Sequence, residues 1–215
     1  MEEKNQKELD KKFIMDSLKK LGVRYGLHET FADVVKCCAY SFANAVEMKE
    51  ERENEYLRTI NKYNKEERDL FPKILAALVN EYEKADEPID VLGNIYEDLQ
   101  LTKKGSAQFF TPIHICDLMS KMTLREEDNK KTVEEKGYIN ILDPACGSGR
   151  FLYTSYGELQ KQGIEPNKIL LQGDDLDLTC CCISIRLHSF HSYQVSDNRA
   201  VWMRYSFQPN ETYCV

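Results

Sequence analysis

The sequence predicts an α/β protein. An N-terminal helical region, residues 1–87, precedes a domain built on a mostly parallel sheet, residues 88–215. Three observations predict this. Apolar residues recur at three- and four-residue spacing through the first part of the chain. From Tyr138 onward the pattern becomes strand, helix, strand, helix, which calls for a parallel sheet with right-handed crossovers. That pattern opens with the run Tyr138-Ile-Asn-Ile-Leu-Asp-Pro-Ala-Cys-Gly-Ser-Gly-Arg-Phe-Leu152, a short apolar strand that ends in a glycine turn and opens a helix.

Composition narrows the class. A chain of 215 residues suits one α/β domain with a helical appendage, or two small domains, and can bury a core. No apolar stretch is long enough to span a membrane, and the Met-Glu-Glu-Lys-Asn-Gln-Lys start lacks the apolar core of a signal peptide, so the expectation is a cytoplasmic protein with no membrane partner. The eight cysteines include an adjacent pair and a triplet rather than Cys-x-x-Cys spacings, and read as reduced, packed residues with no zinc site. His28, His114, His188 and His191 are scattered and read as non-catalytic. The formal charge of −7 argues against a broadly basic nucleic-acid-binding surface. A local basic patch could still form from Lys103, Lys104, Lys121, Arg125, Lys130 and Lys131, although for any one of them a solvated surface is the favoured reading.

The elements follow in order. Leu9, Phe13, Ile14, Leu18 and Leu21 define a first helix, ended by Gly22 and Gly26. Thr30-x-x-Asp33 reads as a capping box that opens a second helix carrying Phe31, Val34, Val35, Cys38, Phe42 and Val46. The charged stretch from Lys49 to Arg68 contains Tyr56, Leu57, Ile60 and Tyr63, and predicts a solvated helix with one apolar stripe. Phe71, Ile74, Leu75, Leu78 and Tyr82 mark a further helix, with Pro72 tolerated near its start. A short helix is expected over Asp90 to Leu101, then a basic turn at Lys103 to Gly105. Thr111-Pro112 reads as an N-cap with proline at the first helical position, opening a helix with Ile113, Ile115, Leu118, Met119 and Met122. Residues 125–137 are charged and aperiodic, and predict a loop or insertion. Ile169-Leu-Leu-Gln172 is a second strand, Leu178 to Phe190 a second helix of the sheet domain, and Ala200 to Phe207 a third strand.

The residues that carry chemistry cluster around the glycine turn. Gly147 and Gly149 lack Cβ, so the backbone there can turn left-handed and approach a ligand. The helix that follows presents unpaired N–H groups. Gly173-Asp-Asp-Leu-Asp177 closes the second strand with carboxylates, acceptor-only groups suited to the paired hydroxyls of a ribose. Asp177 reads as the N-cap of the following helix. Cys146 reads as a small packed residue rather than a nucleophile. Asp143 sits where it could contact a ligand amine or hydrogen-bond the turn.

The run Asp143-Pro-Ala-Cys-Gly-Ser-Gly149 resembles motif I of the S-adenosylmethionine-dependent methyltransferases, in the form found in DNA adenine-N6 methyltransferases and especially the modification subunits of type I restriction systems. Gly105-Ser-Ala-Gln-Phe-Phe-Thr-Pro112 resembles motif X of the same family, and Leu92-Gly-Asn-Ile-Tyr-Glu97 is similar to the segment that precedes it there. The resemblance covers about residues 88–190. It implies a partial Rossmann-like methyltransferase domain with S-adenosylmethionine as cofactor. The implied cofactor-binding residues are Phe109, Phe110, Thr111, Pro112, Asp143, Pro144, Ala145, Gly147, Gly149 and Asp175. Among them Asp175 is the ribose ligand (Asp174 if the register slips by one), and Phe110 is the aromatic wall beside the sulfonium.

The resemblance also fails in a specific way. The family's Asn/Asp-Pro-Pro-Tyr/Phe tetrapeptide, which holds the flipped adenine, does not occur in these 215 residues, and Gln208-Pro-Asn-Glu-Thr-Tyr213 is no substitute. The acidic residue expected after the third strand is not evident either, because Asp197 precedes that strand. The chain stops at Val215, where relatives would carry further sheet and a DNA-recognition region. The sequence thus implies a cofactor half-site without catalytic residues. DNA would be engaged with a partner chain: a restriction-modification specificity subunit, a completing subunit, or a second copy. A non-catalytic interaction protein that keeps the fold is the alternative. A small-molecule or protein methyltransferase is disfavoured by Phe110-Thr-Pro112.

Overall fold

The computed structural model describes residues 2–46, 48–83, 89–101, 110–184 and 204–206. The chain divides into two compact units, Met1–Gln108 and Phe109–Val215. This division falls later than the boundary expected at residues 87 and 88. The difference is the helix α6 (Val91–Asp98), which groups with the first unit: its Tyr96 ring lies 5.6 Å from that of Phe31.

The first unit is helical. Helix α1 (Glu2–Tyr25) runs through Gly22 and breaks at Gly26, whose φ is +86°. It buries Ile14, Leu18 and Leu21. Helix α2 (Leu27–Val46) starts before the expected capping box, because the Thr30 N–H already donates to Gly26 O at 3.0 Å. Thr30 and Asp33 are therefore buried inside the helix rather than at its start. The charged stretch forms two helices instead of one, α3 (Glu50–Ile60) and the single turn α4 (Lys65–Arg68). Asn64 separates them through a capping box: its side chain accepts from Glu67 N, and the Glu67 carboxylate accepts from Asn64 N. Helix α5 (Leu70–Glu83) buries Phe71, Ile74, Leu78 and Tyr82, with Pro72 in its first turn as expected. Asp90 caps α6 by accepting from Gly93 N at 2.6 Å.

The second unit is α/β. Helix α7 (Ile113–Thr123) begins one residue later than expected, with Pro112 as the N-cap. Its buried residues are Cys116 and Ser120, while Ile115, Leu118, Met119 and Met122 are exposed. The segment expected to be a loop is instead helix α8 (Glu126–Lys136). Helical periodicity is missing there because little of it is buried. The helix is held by other means: three acidic residues in its first turn favour the dipole, and Lys130 pairs with Glu126 one turn earlier. Buried Asn129 donates to Gln162 Oε1 at 2.8 Å, and left-handed Gly137 closes the helix.

Among the described residues three parallel strands follow, β1 (Ile139–Asp143), β2 (Ile169–Asp174) and β3 (Arg204–Ser206), in the order β1-β2-β3. Helix α9 (Arg150–Lys161) connects the first two and is followed by a 3₁₀ turn, Pro166–Lys168. The core gathers Ile139, Tyr156, Leu159, Ile164, Ile169 and Leu171 under one face of the sheet, each contributing on the order of 1.5–3 kcal/mol if fully buried. Between α7 and α9 runs a buried hydroxyl seam in which Ser120 Oγ lies 2.9 Å from Thr154 Oγ1 and 3.1 Å from Ser155 Oγ. Residues 178–184 form a further helix. The expected continuation of this helix to Phe190, and the basic turn at Lys103 to Gly105, lie outside the described residues. No helix among the described residues is long and apolar enough to cross a membrane.

Candidate functional site

The parallel register brings Asp143 opposite Gly173, so both strands end together at one edge of the unit. Ligands of open α/β sheets bind beyond such carboxyl ends. The chain leaves β1 through Asp143, Pro144, Ala145 and Cys146, and turns at Gly147 and Gly149, with φ of +54° and +83°. A Cβ on Gly149 would stand 2.3 Å from Ser184 Oγ, so both the conformation and the packing require glycine there.

Asp175, just past β2, closes the turn. Its Oδ2 accepts from Gly147 N at 2.9 Å, and its Oδ1 accepts from Asp177 N at 2.9 Å. Cys146 N adds a bond to Asp174 O at 2.9 Å. The glycine turn and the acidic strand end therefore form one structure, although 28 residues separate Gly147 from Asp175. Each Asp175 oxygen keeps a second lone pair for a ligand. Asp177 is an N-cap, as expected: its Oδ1 accepts from Thr179 N at 2.8 Å.

Asp143 makes the turn bond that was one of its two expected roles, with Oδ1 accepting from Ala145 N at 3.1 Å. Burial raises its pKa above the usual carboxylate value. The Ala145 hydrogen bond opposes that shift, and the charge of Asp175 adds to it. Two half-buried carboxylates thus stand at one turn, Asp143 accepting one backbone N–H and Asp175 two. Pro144 and Ala145 are exposed beside them.

The aromatic segment meets the turn from the other side. Phe110 is buried, and a Cβ on Gly147 would lie 3.2 Å from its Cδ1. Thr111 and Pro112 are exposed, and Phe109 lies outside the described residues. Arg150, which sequence reasoning missed, ties this segment down. Its Nη1 donates to Thr111 O at 3.2 Å, and its guanidinium lies 5.4 Å from the Phe110 ring centroid. The available signal was a cation at the first position of a helix, against the dipole preference. Gly173 was also overlooked: a Cβ there would meet Leu152 at 2.9 Å and Cys146 Sγ at 3.0 Å.

The other candidates are structural. Cys146 is buried, and burial pushes its thiol pKa well up, so it is packed rather than reactive. Cys181 is pushed up to about 12 by burial and by Asp175. Lys121, Lys130 and Lys131 pair with carboxylates on their own helices, at Asp117, Glu126 and Glu135. Among the described residues no cluster of three His, Cys, Asp or Glu side chains could hold a metal ion.

The family model for N-6 DNA methylases matches residues 87–197, just over half of the chain. The chain belongs to the N-6 DNA methylase family. The matched stretch contains α6, the Phe110–Pro112 segment, the glycine turn and Asp175. Curated relatives include two proteins of Methanocaldococcus jannaschii. The type I restriction enzyme MjaIX methylase subunit is 29% identical over 136 residues, 54% of this chain and 22% of that protein. The type I restriction enzyme MjaVIII methylase subunit is 32% identical over 113 residues, 49% of this chain and 17% of that protein. The chain therefore spans about a fifth of the length of the relatives it matches. Among solved structures, a class I S-adenosylmethionine-dependent methyltransferase of Listeria monocytogenes is similar at a TM-score of 0.46 and 18% identity, over 86% of this chain and 50% of that one.

Proposed function

We propose that this chain is the S-adenosylmethionine-binding part of an adenine-specific (N6) DNA methyltransferase of a type I restriction-modification system. The observation that carries the reading is the Asp175–Gly147 hydrogen bond, which joins the glycine turn to the acidic strand end at the carboxyl edge of a parallel sheet. The residues present suit this cofactor. Asp175 and Asp143 offer acceptors where a ribose and an amine would donate, and the glycine turn keeps side-chain bulk away from the strand ends. Phe110, Thr111 and Pro112 form an apolar wall on the far side of the turn.

In this reading Asp175 receives the ribose hydroxyls, Asp143 the cofactor's amino group, and the Phe110–Pro112 segment the methionine portion. When bound, S-adenosylmethionine supplies an electrophilic methyl group on a sulfonium. This chain's residues orient that group and exclude water from one side of it. They do not include the tetrapeptide that would hold a flipped adenine, and positioning of the amine dominates such transfers. Methylation of DNA therefore requires residues from elsewhere. These come from a completing or specificity subunit, a second copy, or the further length that the relatives carry.

Ultraviolet crosslinking of methyl-tritiated S-adenosylmethionine, followed by peptide mapping, tests the reading. Label is expected in the peptides containing Phe110–Pro112 and Asp143–Arg150, with no transfer of label to unmethylated duplex DNA by this chain alone. Saturable labelling elsewhere, or none, contradicts the cofactor site. Transfer to DNA contradicts the incomplete chemistry. A chain that binds no cofactor yet captures restriction-modification subunits is a non-catalytic interaction protein.

A further inference from the structure

Arg150 is placed against two local rules. It is the first residue of α9, where the helix dipole disfavours a cation, and it is 6% exposed, where an ionised group loses its hydration. A residue kept there despite both costs is held by what it touches. Its guanidinium carbon lies over the Phe110 ring, 5.4 Å from the centroid and within the reach of about 6 Å for a cation–π contact, and Nη1 donates to the Thr111 carbonyl at 3.2 Å. Phe110 in turn lies against Gly147. On the other side the segment is anchored by α7, where Pro112 O accepts from Ile115 N and Cys116 N at 2.9 and 3.2 Å. A single side chain therefore clasps the aromatic segment to the glycine turn across 39 residues of sequence.

We infer that Arg150 is a positioning residue for the methionine half of the cofactor, acting through Phe110–Pro112, while the ribose of the adenosine half depends on Asp175. This rests on the proposed cofactor site. A guanidinium is suited to the role because its flat face can cover a ring while its edge donates in plane, which an ammonium cannot do.

The test is calorimetric binding of three ligands to the parent chain, Arg150→Met and Arg150→Lys. The ligands are S-adenosylmethionine, S-adenosylhomocysteine and 5′-methylthioadenosine, the last lacking the amino-acid portion. Arg150→Met is expected to weaken the first two by about tenfold, equivalent to about 1.4 kcal/mol, and to change the third by no more than about twofold. Arg150→Lys is expected to restore less than half of that loss in free energy. Unchanged affinity for S-adenosylmethionine overturns the inference. Equal loss of all three ligands also overturns it, since that marks a merely structural role. If Arg150→Met does not fold, Phe110→Leu reads the same wall with Arg150 intact and must give the same ligand-selective loss. Failure of the parent chain to bind any of the three counts against the cofactor site itself, and is thereby distinguished from failure of the Arg150 inference.

Discussion

Buried carboxylates are used in opposite ways in the two units. In the helical unit Asp33 is 4% exposed and its partners are side chains. It accepts from Lys62 Nζ at 3.1 Å and from Tyr63 OH at 3.0 Å, and Lys62 also reaches Glu29 at 3.2 Å. Partial burial works against the Lys62 ammonium, but Asp33 and Glu29 outweigh it and hold its pKa above the usual lysine value. The Tyr63 ring is wedged between Tyr25 and Phe71, at 4.6 and 4.8 Å. This network is closed on itself and locks the α3–α4 turn to α2. In the α/β unit Asp143 and Asp175 accept, among the described residues, from backbone N–H groups of the turn they shape. Asp33, meeting a cation and a phenol, serves the fold, whereas in the proposed reading Asp143 and Asp175 keep lone pairs for a ligand.

The largest expected effect on the second arrangement comes from Gly149→Ala. A left-handed φ costs a residue with a Cβ about 1–2 kcal/mol, and overpacking against Ser184 adds about 1–3 kcal/mol. The urea midpoint should fall accordingly, and cofactor binding should fall with it. A midpoint within error of the parent would mean that the turn adapts freely and does not define the site.

Asp143→Asn sharpens the comparison with a smaller effect of opposite sign. Burial raises the pKa of Asp143 in the folded chain, so the folded state takes up a proton at higher pH than the unfolded chain does. The ionised group therefore costs stability above its folded pKa, and that cost disappears once pH drops below the ordinary value of 3.8. Asparagine keeps the acceptor for Ala145 N without the charge. The variant should be slightly more stable than the parent at neutral pH, with the difference closing as pH falls through the acid range, and it should bind cofactor less well. A variant less stable than the parent at neutral pH would show that the carboxylate serves the fold, like Asp33.

The same contrast explains what was legible in the sequence. The strand, glycine turn and helix at Tyr138–Leu152 could be read because each step is local: alternating apolar residues, glycines where φ turns positive, and a helix start. The acidic end of the second strand and the Asp177 cap could be read for the same reason. Features that depend on distant partners could not. Thr30 and Asp33 match a capping pattern, yet they lie buried inside α2, where Lys62 and Tyr63 of the α3–α4 turn meet Asp33. Helix α8 has no apolar period, and Asn129 holds it through Gln162. Arg150 looks like an ordinary surface cation until Phe110 and Thr111 are brought beside it. The apolar residues of α7 were legible as a stripe, but their exposure was not.

The most direct measurement is calorimetric titration of S-adenosylmethionine into the parent chain, Asp33→Ala and Asp175→Asn, with folding of each followed by circular dichroism. Asp33→Ala leaves the buried Tyr63 hydroxyl without that acceptor and should cost about 1–3 kcal/mol of stability while binding as the parent does. Asp175→Asn should stay folded and bind at least about tenfold more weakly, a loss of about 1.4 kcal/mol. Parent-like binding by Asp175→Asn would contradict the assignment of the glycine turn and its carboxylate as the cofactor site.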